Sequence, residues 1–584
     1  MRSANQVLDR DLYLLRSILF GSQMIQYIEM NQEKIMKWIY PIAVVLLFAV
    51  KLEGATAKRP NILFLFADDW GRHASIYAEL EGAGTINDVV NTPNFDALSR
   101  EGVLFTNAYV SSPSCTPCRS SLLSGQHFWR TGWGAILQGA VWDAKIPTYP
   151  LLLEEDGYHI GFSHKVWSPG SVRNAPYGGA RNEYKKGGSN VNSFSQFVTG
   201  QMAKGIAVAE AKEALMEQTR VNFRQFLAAR SQDDPFCYWF GPTNTHRKWI
   251  KGSGQAIWGT DPKSLEGKMP PFLPDVPAVR EDLNDYLGEA MGFDMAIGVL
   301  VEELKRIGEY ENTVIAISGD HGAPGFPHGK CNLYDFGSQV ALVLAGPGIK
   351  GGRVVDDFVT LPDLAPTFLE AGHVAPPEEM TAKSLWPVLE SKSEGWVDPS
   401  RTEVYIGRER HVYSARAGDL PYPQRAIRTK DFLLIINFKP DRYPLGDPYK
   451  LDTPEEPTVA QMEQNTFNTL PDEDAGPTKA WIVANRKDPQ WKSYFDDAYG
   501  KRLRLELFDL KKDPHQMNNV AANPAYRQVL EALRNTLMTE LRETGDPRLI
   551  ENGRFFEEVE KFGSKKVIEA QLEATRQDKR RIQK

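Results

Sequence analysis

Cysteine is scarce. Four in 584 residues are too few to staple a fold with disulfides. Neither sign of charge dominates: 68 Lys and Arg against 75 Asp and Glu leave −7, without the basic footprint of a nucleic-acid binder. No internal repeat stands out, which argues against a solenoid or propeller. Long apolar runs are missing too, with one short exception at residues 38–50. What remains is ordinary globular material, 42% hydrophobic and 24% charged. At about 150 residues per domain it makes two to four domains with a large core.

The apolar run bears on location. Lys34 and Lys37 precede it, and Ala55, Thr56 and Ala57 follow it. A basic flank, a short apolar stretch and an A-x-A site make a secretory signal peptide. The alternatives are a buried helix or a membrane anchor, but a comfortable span needs about 20 residues. Met36 is a normal start for such a signal, which makes residues 1–35 an over-long extension. The expectation is a mature chain from near Lys58, exported to a periplasm, lumen or exterior, with no stable membrane span.

Beyond Lys58 apolar strands alternate with amphipathic helical patterns. Residues 61–67 form a continuous apolar run, as a buried parallel strand does. Residues 158–163, 236–240 and 314–318 resemble it, and 283–307 is the clearest helix. The alternation predicts an α/β domain over 58–395 with a mainly parallel central sheet flanked by helices. After about residue 395 the texture changes to short strand-like runs at 404–406, 426–428 and 433–436. Polar, Pro-rich loops separate them, and helical pattern returns at 524–543. This predicts a smaller C-terminal α+β domain over 396–547. Residues 548–584 read as a charged helical tail, and 1–57 as extension plus signal.

The chemistry begins at Cys115-Thr116-Pro117-Cys118-Arg119, followed by Ser120-Ser121-Leu122-Leu123-Ser124-Gly125. Pro117 suits the first turn of a helix, so Cys115 sits at a helix N-terminus, where backbone N–H groups favour an anion. One reading is C-x-x-C redox chemistry. The other is C-x-P-x-R-x-x-x-L-[ST]-G, which also uses Arg119, Leu123, Ser124 and Gly125. With that second motif the chain resembles the type I sulfatases of the alkaline phosphatase superfamily, and other segments match in order. They are Arg59-Pro60-Asn61-Ile62 leading to Asp68-Asp69, then Asn91-Thr92-Pro93-Asn94-Phe95-Asp96, then Gly319-Asp320-His321-Gly322. Glu506-Leu507-Phe508-Asp509-Leu510 with Asp513-Pro514 completes the set. The resemblance runs from about Arg59 to Pro547. It implies an alkaline-phosphatase-like fold and oxidation of Cys115 to formylglycine by a formylglycine-generating or anaerobic sulfatase-maturating enzyme. The hydrated aldehyde is then the nucleophile.

Asp68 and Asp69 follow one apolar strand directly; Asp320 and His321 follow another. Ligands in open α/β sheets gather beyond such strand ends. Three carboxylates converging there need a cation, and hard oxygen donors suit calcium, with magnesium second. The implied metal set is Asp68, Asp69, Cys115, Asp320 and His321, with His321 in a place where many sulfatases carry asparagine. Sulfuryl transfer also needs positive charge and a proton donor. The matching positions are Arg119, Lys165, His246 and Lys330, with His246 or Lys330 protonating the leaving group.

The family's histidine two residues after the catalytic lysine is absent; Trp167 holds its place. His164, His73 and His411 are the candidates to replace it. Within the family, Lys330-Cys331-Asn332-Leu333-Tyr334, Asn244-Thr245-His246-Arg247, the stretch 425–440 and Asp513-Pro514-His515 resemble the heparan N-sulfatase (sulfamidase) group. Lys330 departs from that group's arginine. Glu409, Arg410 and His411 are candidates to enter the pocket and contact sugar hydroxyls or an amino group. The resemblance thus implies a calcium-dependent hydrolase of a sulfated glycan, with N-sulfoglucosamine of heparan sulfate the first candidate substrate. The alternatives are an O-sulfatase on another glycan or aryl sulfate, a phosphonate or phosphodiester hydrolase, and a catalytically silent glycan-binding protein.

Overall fold

The computed structural model describes residues 58–558 apart from 233. The expected signal segment and the tail beyond 558 lie outside the described residues. Among the described residues no helix is long and apolar enough to cross a membrane.

Seven strands form the main sheet: β1 (Asn61–Ala67), β2 (Val103–Tyr109), β3 (His159–His164), β4 (Phe236–Gly241), β5 (Thr313–Gly319), β6 (Leu342–Ala345) and β7 (Arg353–Thr360). Their spatial order is β3-β4-β1-β5-β6-β2-β7. β1 pairs in parallel with β4 and β5, β3 with β4, and β2 with β7; β6 runs against both its neighbours. The mainly parallel α/β sheet expected from the alternating pattern is therefore present.

β1, β4 and β5 are buried along their whole length and mostly apolar because both faces are covered. Along β1, Ile62, Phe64 and Phe66 enter one core cluster, and Leu63, Leu65 and Ala67 enter the other, following the two-residue alternation of a strand. Leu122 and Leu123 of the Cys115–Ser124 helix and Phe368 of the Leu364–Ala371 helix close the first cluster. Leu283 and Leu287 of the Pro277–Arg306 helix close the second, with Phe223 and Phe226 of the Val208–Ala229 helix. The apolar runs of the sequence mark β1, β3, β4 and β5, but not β2, β6 or β7. β6 has only four residues, and β7 alternates buried with half-buried positions and carries Asp356 and Asp357.

A second sheet is antiparallel: β8 (Glu403–Arg408), β9 (Gln424–Thr429), β10 (Phe432–Asn437) and β11 (Leu505–Asp509), in the order β11-β10-β9-β8. Ile427, Leu434 and Ile436 join Leu537 and Leu541 of the Arg527–Glu543 helix in the first cluster. Val404, Ile406, Leu433 and Ile435 pack with Tyr109 and Phe358 of the main sheet.

Candidate active site

Ala67 and Gly319 are partners in the parallel register of β1 and β5, so Asp68 and Asp320 leave adjacent strands side by side. Asp69 follows in a left-handed turn with φ 58°, a conformation aspartate visits more readily than most residues. There its N–H donates to Asp320 Oδ1 at 2.7 Å. Tyr286, on the Pro277–Arg306 helix, donates its hydroxyl to the Asp69 carbonyl at 3.0 Å.

Three buried cations answer the three carboxylates. Arg119, fully buried, donates Nε to Asp320 Oδ2 at 2.8 Å and Nη2 to Asp68 Oδ1 at 3.1 Å. Its Nη1 reaches the carbonyls of Lys165 and Val166 at 3.1 and 3.0 Å. Lys165, the first residue past β3, places Nζ 2.6 and 2.8 Å from the two Asp68 oxygens. Lys330 Nζ lies 2.9 Å from Asp69 Oδ2 and 3.1 Å from Asp474 Oδ2. Burial pushes the Asp68 carboxyl up, but the Lys165 and Arg119 charges outweigh it and hold the group well below the usual carboxylate range. Burial likewise opposes the Lys330 ammonium, and Asp474 and Asp69 more than restore it.

Cys115 opens the Cys115–Ser124 helix and aims into this cluster. Its Sγ is 3.4 Å from His321 Nε2 and 3.7 Å from Asp69 Oδ1. Burial, and then the Asp68 charge, hold its thiol well above the ordinary range; burial does the same to Cys118. Both cysteines are free and buried. Neither has the stabilised thiolate on which C-x-x-C redox exchange depends. His246, half-buried past β4, stands at the open edge with Nε2 3.9 Å from Asp69 Oδ2. Its Nδ1 is 2.6 Å from the Arg247 carbonyl, so Nδ1 donates there and Nε2 faces the cluster.

The expected site residues thus come together, with one difference in grouping. Donor atoms of Asp69, Cys115, Asp320 and His321 lie within 4.8 Å of one another, whereas Asp68 groups with Asp69 and His246. Lys165 holds both Asp68 oxygens. Two carboxylates and an imidazole around one point fit a cation. Trp167 turns into the core, where its indole N–H donates to Ser120 Oγ at 2.8 Å. Of the candidates to replace the missing histidine, His164 faces Asn192 and Phe240, and His73 packs on Tyr286 and Phe336. His411 instead places Nδ1 2.7 Å from Ser114 Oγ, on the residue before Cys115. Burial, and then the nearby Lys330 charge, hold His411 well below the ordinary histidine range, so it is neutral. Glu409 does not reach the pocket: Arg425 and Arg548 enclose it at 2.9 and 3.0 Å. Asp474 went unmarked in the sequence because Asp472-Glu473-Asp474 reads there as a solvated acidic run.

A mainly parallel α/β sheet that gathers a buried acidic cluster, three cations and a helix-terminal cysteine at its strand ends is the frame of a hydrolase for a tetrahedral oxyanion. The sulfatase family model matches residues 60–374, more than half of the chain, and the chain belongs to the sulfatase family. A second model, described as N-sulphoglucosamine sulphohydrolase, C-terminal, matches residues 322–467. Human N-sulphoglucosamine sulphohydrolase is 28% identical over 531 residues, covering 85% of this chain and 92% of that protein. An N-acetylglucosamine-6-O-sulfatase of Bacteroides thetaiotaomicron is 24% identical over 462 residues, covering 65% and 78%. Among solved structures, one in complex with its substrate D-glucosamine-2-N,6-O-disulfate aligns with TM-score 0.54 at 19% identity, over 85% of this chain and all of that one. The phosphonate monoester hydrolase of Agrobacterium radiobacter aligns at 0.53 and 18%, over 84% and 97%. The fold is therefore shared with phosphonate chemistry, and the family match, not the fold, makes this chain a sulfatase.

Proposed function

We propose that the protein releases sulfate from a sulfated glycan, with N-sulfoglucosamine of the heparan type as preferred substrate, through Cys115 converted to formylglycine. The observation that carries the reading is the aim of Cys115: a helix-terminal side chain directed at Asp69 and His321 and surrounded by three cations. Converted, residue 115 supplies a hydrated aldehyde oxygen as nucleophile. Asp69, Asp320, His321 and residue 115, with Asp68 alongside, would hold a calcium ion, which would supply positive charge toward a sulfate oxygen.

The chain's own groups supply the rest. Arg119 ties Asp68 to Asp320 and keeps the acidic pair from repelling. Lys165 presents its ammonium at Asp68 and Lys330 at Asp69, so developing negative charge on the sulfuryl oxygens meets preorganised donors. His246 and Lys330 both stand at Asp69 Oδ2, and either can protonate the leaving nitrogen or oxygen. Of the candidates for the missing family histidine, neutral His411 is the one that bonds the residue before 115, through Ser114 Oγ, and it positions residue 115; burial and Lys330 leave it a weak base. Residues 396–547 act as a smaller domain that brings His411 and Asp474 to the site.

N-sulfate preference is supported by the C-terminal family match and the human relative. The 6-O-sulfatase relative, and Lys330 in place of the sulfamidase arginine, favour the second reading, an O-sulfatase. Sulfate release from N-sulfoglucosamine is expected to be faster than from 6-O-sulfated N-acetylglucosamine. The reverse ranking selects the O-sulfatase.

A further inference from the structure

The segment that leaves β8 is pinned on every side. Arg408 donates to the Cys331 and Pro444 carbonyls at 2.7 and 3.0 Å and to Asp472 Oδ2 at 2.6 Å. Glu409 is enclosed by Arg425 and Arg548. The carbonyls of Arg410 and His411 accept the N–H groups of Leu137 and Gln138, both at 3.0 Å. Val412 N–H donates to Asp472 Oδ1 and Tyr413 N–H to Gln138 Oε1, both at 2.8 Å. His411 holds Ser114.

Arg410 differs. It is 3% exposed, and its Nε and Nη2 are buried with no hydrogen-bond partner among the described residues. Its guanidinium lies 4.9 Å from the Tyr413 ring centroid, and among the described residues no carboxylate forms an ion pair with it. The Nε and Nη2 hydrogens share one edge of the guanidinium plane, the edge that grips both oxygens of a carboxylate or two of a sulfate. Arg72, Arg401, Arg408 and Arg486 also leave a buried Nε without a hydrogen-bond partner, but each has an ion pair through a terminal nitrogen; at Arg425 and Arg428 a carboxylate fills the whole edge. Arg425 gives Nε and Nη2 to Asp546 at 2.6 and 3.0 Å, and Arg428 gives them to Asp335 at 2.9 and 2.8 Å. Burial disfavours this cation, and the Tyr413 and Asp419 side chains offset that only in part; a buried cation without an ion-pair partner destabilises the free protein, so a site for an arriving anion explains its retention. The location suits the reaction. Arg410 adjoins His411, about 3.8 Å away between Cα atoms, and the His411 ring touches the residue before Cys115.

We propose that the Nε–Nη2 edge of Arg410 is a second anion subsite. It takes an oxyanion of the glycan other than the sulfate removed: a further sulfate on the same sugar, or the carboxylate of a neighbouring uronate. This rests on the sulfated-glycan reading above. It replaces the expectation of a sugar hydroxyl or amine at Arg410.

The test is calorimetric binding to Cys115→Ala protein, which lacks a nucleophile. Three ligands are compared: glucosamine N-sulfate, glucosamine carrying N- and 6-O-sulfate, and a uronate-linked glucosamine N-sulfate disaccharide. One doubly anionic ligand is expected to bind about 10- to 100-fold tighter than the singly charged one, as one charge-assisted bidentate contact provides. Gain by the disulfated sugar identifies the second sulfate as the anion; gain by the disaccharide identifies the uronate. Adding Arg410→Gln removes the gain and moves glucosamine N-sulfate less than about 2-fold, while Arg410→Lys, charged but without the fork, falls between. Equal affinities for all three ligands in Cys115→Ala overturn the proposal, and so does an equal loss for all three on adding Arg410→Gln. The first comparison keeps Arg410 in place, so equal affinities there refute the proposal even if Arg410→Gln unfolds, and the milder Arg410→Lys then assigns any gain to the guanidinium fork. The N-sulfate reading fails separately, if mature wild-type enzyme releases sulfate only from O-sulfated sugars. The binding comparison is then repeated with 6-O-sulfated N-acetylglucosamine, with and without a second anion.

Discussion

Replacing Arg119 by methionine should cost more than any other single change at the site, and the structure sets the size. The guanidinium is wholly buried and serves four acceptors: Asp320, Asp68 and the carbonyls of Lys165 and Val166. Methionine fills much of the volume but leaves Asp320 facing Asp68 and Asp69 with one cation fewer. Removing one partner of a buried ion pair costs about 3–5 kcal/mol. Unfolding entropy near 2.1 cal/mol/K per residue, over about 500 described residues, comes to roughly 1 kcal/mol per degree. The expected fall in Tm is therefore about 3–5 °C. Arg119→Lys restores the charge but reaches fewer acceptors, and should recover about half. Both are measured in a Cys115→Ala background by calorimetry, with chelator present, so that conversion of residue 115 and bound metal do not enter. A Tm change under about 1 °C for Arg119→Met would show that the acidic cluster does not depend on this counter-charge, and the electrostatic account of the site would fall.

Three further outcomes are expected. Asp69→Ala should lower both activity and bound calcium, read by sulfate release and elemental analysis; full activity with stoichiometric calcium refutes the ligand assignment. Cys115→Ala should abolish turnover, while Cys118→Ser keeps most of it at a stability cost of about 1 kcal/mol, because the buried hydroxyl can bond the Ser114 carbonyl one turn back. Equal loss in the two variants, with Cys115 still a thiol by peptide mass, would falsify the formylglycine mechanism. Glu289, beneath the loop that carries Asn244 and His246, is pushed up to about 7 by burial. The folded state then holds a proton that the unfolded state releases near its ordinary value. Its contribution is complete below about pH 4.5 and is lost as pH rises through about 7, on the order of 3 kcal/mol. Glu289→Gln should flatten the fall in Tm between about pH 5 and pH 8 by about 3 °C; an unchanged profile refutes it.

The centre of the site was legible in the linear chain because parallel strands announce themselves. Where an apolar run ends in Asp68-Asp69 or in Asp320-His321, the register of a parallel sheet puts those residues at one edge, whatever lies between them in sequence. Cys115 and Arg119 were legible for a different reason: the C-x-P-x-R signature of the sulfatases is local, and four residues apart on a helix its two residues share a face. Tertiary structure alone decided the rest. That Lys165 holds both Asp68 oxygens, and that Asp474 shares Lys330 with Asp69, depends on loops from distant segments closing on each other. Among Glu409, Arg410 and His411, one is enclosed by two arginines, one has an empty guanidinium edge and one reaches Ser114. Neighbours in an irregular segment have no period to say which way each side chain turns. Their directions are set by the buried partners that the second sheet brings against the first.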